Sequence, residues 1–402
     1  METIKRIYDN ILAAHLNGER QIALVTGPRQ VGKTTTCRGL CTQYLNWDNL
    51  DSREEITRGP ARVARIAGLE ELQTTPPVIL FDELHKYSRW KQFLKGFFDT
   101  YADRARVLVT GSSRMDLYRR GGDSLMGRYF LYRMHPFSVA ELNSRSLPSP
   151  GEILRQPTPP DSADFEALWS YGGFPEPFVK RSPQFSRRWQ NLRLVQLLRE
   201  DVRDMTQISQ LDQLELLARL LIARSGQQLI YSNLARQIQV SVDTVRRWIT
   251  ILGNLHLGFV IRPYFKNISR ALRKEPKWFV RDWSLVEDEG ARAETFVACH
   301  LLKAVDGWND LGLGDFELGY LRDKEQREVD FIVSREGKPW FLVEVKLKKT
   351  AISGALEHYR SQSGAPFALQ AVIQADYIAA DCFAQPGRSL MVPAKTLLSQ
   401  LL

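Results

Sequence analysis

No stretch of this sequence stays apolar for the roughly 18–20 residues that a membrane-spanning helix needs, so no membrane partner is expected. Cysteine is scarce: four in 402 residues, at 37, 41, 299 and 382. That is too few for a disulfide framework in a chain of this length. Cys37 and Cys41 would lie one helical turn apart, but no second pair of ligands stands near them. Small buried apolar residues are therefore the expectation there, ahead of a metal site. The opening METIKRIYDN holds no apolar signal segment, and the chain is read as cytoplasmic. No internal repeat and no low-complexity tract is present. What remains is an ordinary globular composition, 44% hydrophobic and 25% charged, with length for about two to four domains.

Acidic charge is in short supply, and unevenly so. The net charge is +9. Residues 1–150 hold 22 Lys and Arg against 16 Asp and Glu, and residues 151–205 balance at 8 against 8. Residues 206–285 hold 12 against 5, a net +7, whereas residues 286–402 hold 13 against 17, a net −4. The short basic segment suits a phosphate backbone; a solvated basic surface is the alternative.

The first segment alternates continuous apolar runs with helical patterns. QIALVT (21–26), PVILFD (77–82) and ARVLVT (105–110) read as buried strands, with helices over 33–44 and 90–101. Such strands with helices between them predict an α/β fold with a parallel sheet covered on both faces. Residues 144–162 are rich in Ser and Pro and read as a linker or surface loop. Residues 164–222 read as mostly helical. Beyond them come helix, turn, helix and two strand-like runs (259–265, 277–282). A helix over 291–303 and strands near 316–321, 328–333 and 340–346 follow.

Residues 27–34, GPRQVGKT, fit G-x-x-x-x-G-K-[ST] at every fixed position, after a strand and before a helix. Gly27 and Gly32 let the backbone bend and approach phosphates without a Cβ in the way. Pro28, Arg29, Gln30 and Val31 complete the loop, and the helix N-terminus that follows favours an anion. Lys33 would reach the β- and γ-phosphates of ATP, the Thr34 hydroxyl would ligate Mg²⁺, and Thr35 would close the cradle.

Such a loop needs a carboxylate at the end of a neighbouring strand. VILFDE (78–83) supplies Asp82 to hold Mg²⁺ and Glu83 to orient and deprotonate the attacking water. The pair predicts hydrolysis rather than binding alone. Ser113, after the third strand, is either a sensor of the γ-phosphate or a helix N-cap. Arg128 is the first choice for an arginine finger supplied by a neighbouring subunit, with Arg114, Arg119 and Arg120 as competitors.

With these residues in view, residues 1–145 resemble AAA+-type ATP-binding proteins. The marks are GPRQVGKTT (27–35), DE-x-H-K (82–86), and Gly127-Arg128 followed by Pro136-Phe137-Ser138 and Glu141. GGFPEP (172–177), LLREDVRD (197–204) and REVDFIV with VEVK (327–346) resemble the uncharacterised C-terminal domain that accompanies that core. The resemblance implies a P-loop AAA+ core over 1–150 and a helical lid over 151–205. It also implies ATP and Mg²⁺ as cofactors and a homo-oligomer, possible as a hexamer.

In the basic segment, SNLARQIQVSVDTVRRWITIL (232–252) has helix-turn-helix spacing, with Ser232 and Ser241 as expected N-caps. The second helix would present Thr244, Arg246 and Arg247 to DNA, and the two strands after it would make a wing. This predicts a winged helix over 206–285, used either on DNA or as a protein-contact unit.

Residues 286–402 carry Glu294 on a helix, Asp330 on one strand, and Glu344 with Lys346 on the next. Residues two apart on a strand share a face, and a hairpin would bring Asp330 beside them. The arrangement resembles the PD-(D/E)xK nuclease fold, in which two carboxylates hold a divalent metal and the lysine helps activate water. Val329 stands where that name has proline. The predicted fold class is thus an α/β P-loop core, helical lid, winged helix-turn-helix and α/β nuclease-like domain. Three functions compete: an ATP-driven machine on DNA, an ATP-gated metal-dependent nuclease, and a nucleotide switch that binds protein partners.

Overall fold

The computed structural model describes residues 4–111, 125–202, 210–264 and 275–402. Ser113, Arg114, Arg119 and Arg120 lie outside the described residues, as does the end of the LLREDVRD motif. The described chain packs as two units: Met1–His135 with Arg145–Leu147, and Pro136–Ser144 with Pro148–Leu402.

In the first unit, β1 (Ile22–Thr26) is buried at every position, as IALVT requires of a strand covered on both faces. It joins β2 (Gln43–Asn46), β3 (Val78–Asp82), β4 (Arg106–Thr110) and β5 (Tyr129–Arg133) in the order β2-β3-β4-β1-β5. Every pairing is parallel. Thr26, Asn46, Asp82 and Thr110 therefore end on one edge of the sheet, where ligands bind in open α/β folds. Apolar helix faces cover it; Phe93 and Phe97 of α5, the fifth helix in chain order (Trp90–Tyr101), set their rings edge-on to Phe81 of β3.

The helix expected over 33–44 is shorter, Lys33–Arg38, and residues 43–46 are β2 instead. Gly39 closes the helix, and the chain then pairs with β3, Tyr44 opposite Leu80 and Asn46 opposite Asp82. A four-residue strand with mixed burial shows neither alternation nor a continuous apolar run, so nothing local announces it.

The second unit begins with helices Ser162–Tyr171, Pro175–Lys180 and Pro183–Gln196. The helix-turn-helix expectation corresponds to Tyr231–Ile238 and Val242–Asn254. Ser241 caps the second helix, accepting from the Thr244 N–H, but Ser232 caps nothing, because the first helix starts one residue before it. The strands that follow, β6 (Gly258–Pro263) and β7 (Lys277–Val280), pair antiparallel. They are not a separate wing: β6 also pairs with β8 (Phe316–Arg322), so both belong to one seven-stranded sheet. Its other members are β9 (Glu328–Arg335), β10 (Lys338–Lys346), β11 (Phe367–Val372) and β12 (Ser389–Pro393), in the order β12-β11-β10-β9-β8-β6-β7. The 22-residue helix Glu289–Asp310 packs on it with thirteen buried residues. Among the described residues no helix is long and apolar enough to cross a membrane.

Candidate functional site

Residues 27–34 leave β1 and turn sharply into the helix at Lys33. Gly27 has φ +140°, and a Cβ there would stand 2.2 Å from the Met134 carbonyl oxygen. No side chain fits, so glycine at this position answers to backbone packing as well as to phosphate access. Gln30 and Gly32 are left-handed, at φ 62° and 102°. Lys33 is buried and donates to the carbonyl oxygens of Gly27 and Pro28 at 2.9 and 2.8 Å. Burial, outweighing the pull of Glu83 and Asp82, brings its pKa down to about 8.

Asp82 ends β3 with its carboxylate ringed by hydroxyls. Thr34 Oγ1 donates at 3.1 and 3.2 Å, Tyr44 Oη at 2.9 Å, and Thr110 Oγ1 at the end of β4 also donates. Burial and the carboxylate raise the Tyr44 pKa to about 12. Thr34 and Asp82 form a hard oxygen pair of the kind Mg²⁺ selects, and the glycine-lined loop with its ammonium is a cradle for phosphate. The residues present thus fit ATP and Mg²⁺.

Glu83 holds a left-handed backbone at φ 55°, a conformation that costs a non-glycine residue about 1 kcal/mol or more and concentrates at functional sites. Its carboxylate is half-buried, 3.4 Å from Lys86 Nζ and 3.8 Å from His85 Nε2. The DE-x-H-K motif therefore folds onto its own glutamate, and Lys86 also reaches Asp48 at 2.6 Å.

Several groups here have no local signal in the sequence. Thr110 and Tyr44 reach Asp82 only through strand order. Arg6, buried before the first helix, donates to the Val31 carbonyl and to the His135 carbonyl, each at 2.6 Å. It braces the phosphate loop from a segment the motif does not include.

Arg128 precedes β5 and forms a two-point pair with Asp99 of α5, at 2.7 and 3.1 Å. Since β5 runs parallel to β1 with Tyr129 opposite Ile22, Arg128 lies at the opposite edge of the sheet from residues 27–34. It does not reach this chain's own phosphate loop.

Two of the sequence motifs turn out to help hold the second unit together. The Phe137 N–H donates to the Gly173 carbonyl at 2.7 Å, joining PFS to GGFPEP. A Cβ on Gly173 would meet both the Phe137 carbonyl and the Trp283 ring at 2.7 Å. Glu141 and Lys303, both fully buried, pair directly, and Lys303 also donates to the Pro136 carbonyl at 3.1 Å. His300 accepts from the Val139 N–H at 3.1 Å; burial lowers its pKa to about 3, so it stays neutral.

The C-terminal carboxylates form a second charged centre. Lys346 Nζ donates to Glu344 Oε1 at 2.8 Å, while Glu344 Oε2 is buried without a hydrogen-bond partner among the described residues. Asp330 accepts from the Val345 N–H at 2.8 Å. Burial, then Glu294 and Glu344, push its pKa well up. Among the described residues, however, no group of three or more His, Cys, Asp or Glu is disposed to hold a metal ion. Lys277, which the sequence did not single out, enters this centre from β7 and pairs with Glu328, with Glu294 at 3.9 Å.

On the helix-turn-helix, Arg246 and Arg247 are exposed, and Arg246 lies 4.8 Å over the Tyr231 ring. Thr244 is half-buried with its hydroxyl 2.9 Å from Ser241 Oγ. Its N–H also donates to Ser241 Oγ, at 3.1 Å, at the helix cap.

Comparison with known proteins agrees with the first site. Residues 19–143 match the family model of an AAA domain. Residues 162–288 and 289–378 match two domains of unknown function, DUF8612 and DUF4143. Uncharacterized proteins of Mycobacterium bovis and Mycobacterium tuberculosis are each 25% identical over 357 residues, 85% of this chain and 73% of theirs. Among solved structures, the Aeropyrum pernix ORC1 protein in complex with DNA is 15% identical with a TM-score of 0.31, over 72% of this chain and 91% of that one. PCH-2 of C. elegans is 13% identical with a TM-score of 0.24, over 60% and 68%. At scores this low they say nothing further about this chain. The match to an AAA domain thus falls on the stretch that carries the phosphate loop, Asp82 and Glu83. The family match runs eight residues past that unit, through Asn143, into the PFS-x-x-E segment packed in the second.

Proposed function

We propose that this chain binds ATP with Mg²⁺ through residues 27–35 and Asp82 and hydrolyses it with Glu83 as the base. The observation that carries the reading is the meeting of Lys33, Thr34, Asp82 and Glu83 at one edge of the parallel sheet. Lys33 exchanges its two carbonyl partners for phosphate oxygens. Thr34 and Asp82 would hold Mg²⁺, whose positive charge would offset that of the phosphates. Glu83, outside the hydroxyl ring of Asp82, orients water. Hydrolysis is coupled to work on DNA by an oligomer, in which Arg128, out of reach of its own site, serves a neighbouring subunit's.

In this reading residues 151–205 are the lid. Residues 206–285, with net +7, touch DNA through Arg246 and Arg247. A second reading, a nuclease-like centre over 286–402, is favoured by Asp330, Glu344 and Lys346 lying together. The test is ATP turnover in the wild-type protein and in Glu83→Gln, with and without single-stranded, duplex and branched DNA. Glu83→Gln should keep ATP binding and lose turnover by about 10²–10⁴-fold, and one DNA form should stimulate the wild type. Normal turnover in Glu83→Gln removes the base assignment. Turnover indifferent to all DNA moves the helix-turn-helix to protein contact and favours a nucleotide switch.

A further inference from the structure

Lys277 opens β7, KWFV, in which every residue is buried. It is 4% exposed, where an uncompensated ammonium would be prohibitive. Its compensation comes from three elements. Glu328 on β9 pairs with it directly, and Glu294 on the helix Glu289–Asp310 stands 3.9 Å away. Tyr320 on β8 places its ring 5.5 Å from Nζ. Asp330, two residues along β9 from Glu328, interacts with the same ammonium, with Glu294 and with Glu344.

Four carboxylates, those of buried Asp330 and Glu344 and of half-buried Glu294 and Glu328, thus share one neighbourhood. Three cations face them: Lys277, Lys346 on Glu344, and Arg322 at 2.8 Å from Glu328. Glu344, 6% exposed, keeps one oxygen open: its Oε2 has no hydrogen-bond partner among the described residues. Hard oxygen ligands of this kind suit Mg²⁺ or Mn²⁺.

We infer that Lys277 is a built-in cation that holds this carboxylate cluster closed to divalent metal, and that the cluster takes up one metal ion when the ammonium is withdrawn. A metal ion entering beside Lys277 must break its pairing and leave a buried ammonium without partners, or do without Glu294 and Glu328. Either loss weakens binding steeply. The scattered disposition of the carboxylates, short of any preformed metal cage, follows from their being gathered around an ammonium. The inference does not depend on the ATPase reading, since none of these residues belongs to the first unit.

The test is Mn²⁺ titration of the full chain by calorimetry, every protein carrying Asp82→Asn so that the phosphate loop contributes nothing. Lys277→Gln should bind one Mn²⁺ at least about 100-fold more tightly than the parent. Adding Asp330→Asn should abolish that gain, and Lys277→Arg, which keeps the charge, should behave as the parent. A melting curve with and without Mn²⁺ guards against misfolding: Lys277→Gln should melt lower in chelator and recover with Mn²⁺, and the parent should show no such recovery. A parent that binds Mn²⁺ through Asp330 as tightly as Lys277→Gln does, or a Lys277→Gln protein that neither binds Mn²⁺ nor is stabilised by it, overturns the inference.

Discussion

Lys33 and Lys277 are buried to almost the same degree, 8% and 4% exposed, yet their pKa values move in opposite directions. Burial acts on both, disfavouring the charged form. At Lys33 it wins, and the pKa falls to about 8, because the hydrogen-bond partners are the neutral carbonyls of Gly27 and Pro28. At Lys277 burial is outweighed by Glu294, Asp330 and Glu328, and the pKa rises. A lysine held by carbonyls gains by meeting an anion. A lysine held by carboxylates has already met its anions, and serves the fold. Burial alone therefore does not separate a ligand-binding lysine from a structural one; the charge of the partners does.

The largest expected effect compares the two directly. Lys277→Met leaves buried carboxylates uncompensated and should lower stability by about 3–5 kcal/mol in denaturant unfolding. Lys33→Met removes an ammonium that only carbonyls accept, and should change stability by no more than about 1 kcal/mol while ATP binding is lost. Equal losses in the two proteins would break the comparison. Their pH dependence also differs in sign. Lys277, raised in the fold, contributes stability that is present below the unfolded value of about 10.4 and lost as pH rises through the folded one. Lys33, lowered in the fold, penalises it most below about 8, and that penalty fades between there and the unfolded value.

A smaller effect sharpens the same idea at the surface. Arg246 stacks on the uncharged Tyr231 ring, and Arg247 beside it is exposed. Replacing both with Ala should barely alter stability, weaken DNA binding, and flatten the dependence of log K on log salt by up to ~2 units. ATP affinity should be unchanged. Unaltered DNA affinity would assign this helix to protein contact.

What the sequence made legible follows from how local each feature is. Residues 27–34 and the Asp82–Glu83 pair were readable because their chemistry is tied to fixed spacing and to a strand end. The parallel sheet was readable from three continuous apolar runs. Strand β2 was not, being four residues with mixed burial at the sheet edge. Thr110, Tyr44 and Arg6 were missed because their partners, Asp82 and the Val31 carbonyl, lie 25 to 38 residues away in sequence. Lys277 could have been suspected: a lysine opening KWFV is out of place in a buried strand unless carboxylates wait for it. The PFS-x-x-E and GGFPEP motifs were visible as motifs, but only the contacts of Phe137, Gly173, Glu141 and Lys303 show that their work is structural.

The most direct test of the account is proton uptake on ATP binding. In the free protein Lys33 is largely neutral above pH about 8, and bound phosphate should restore its charge. Calorimetric titration with Mg-ATP at pH about 8.5, in two buffers of different ionisation heat, should show uptake of about three-quarters of a proton per nucleotide. The affinity should fall as pH rises through that range. Lys277→Met should take up the same proton, and Lys33→Met should not bind. Tight binding with no proton uptake, and an affinity flat across this range, would contradict the claim that Lys33 is the cation that waits for ATP.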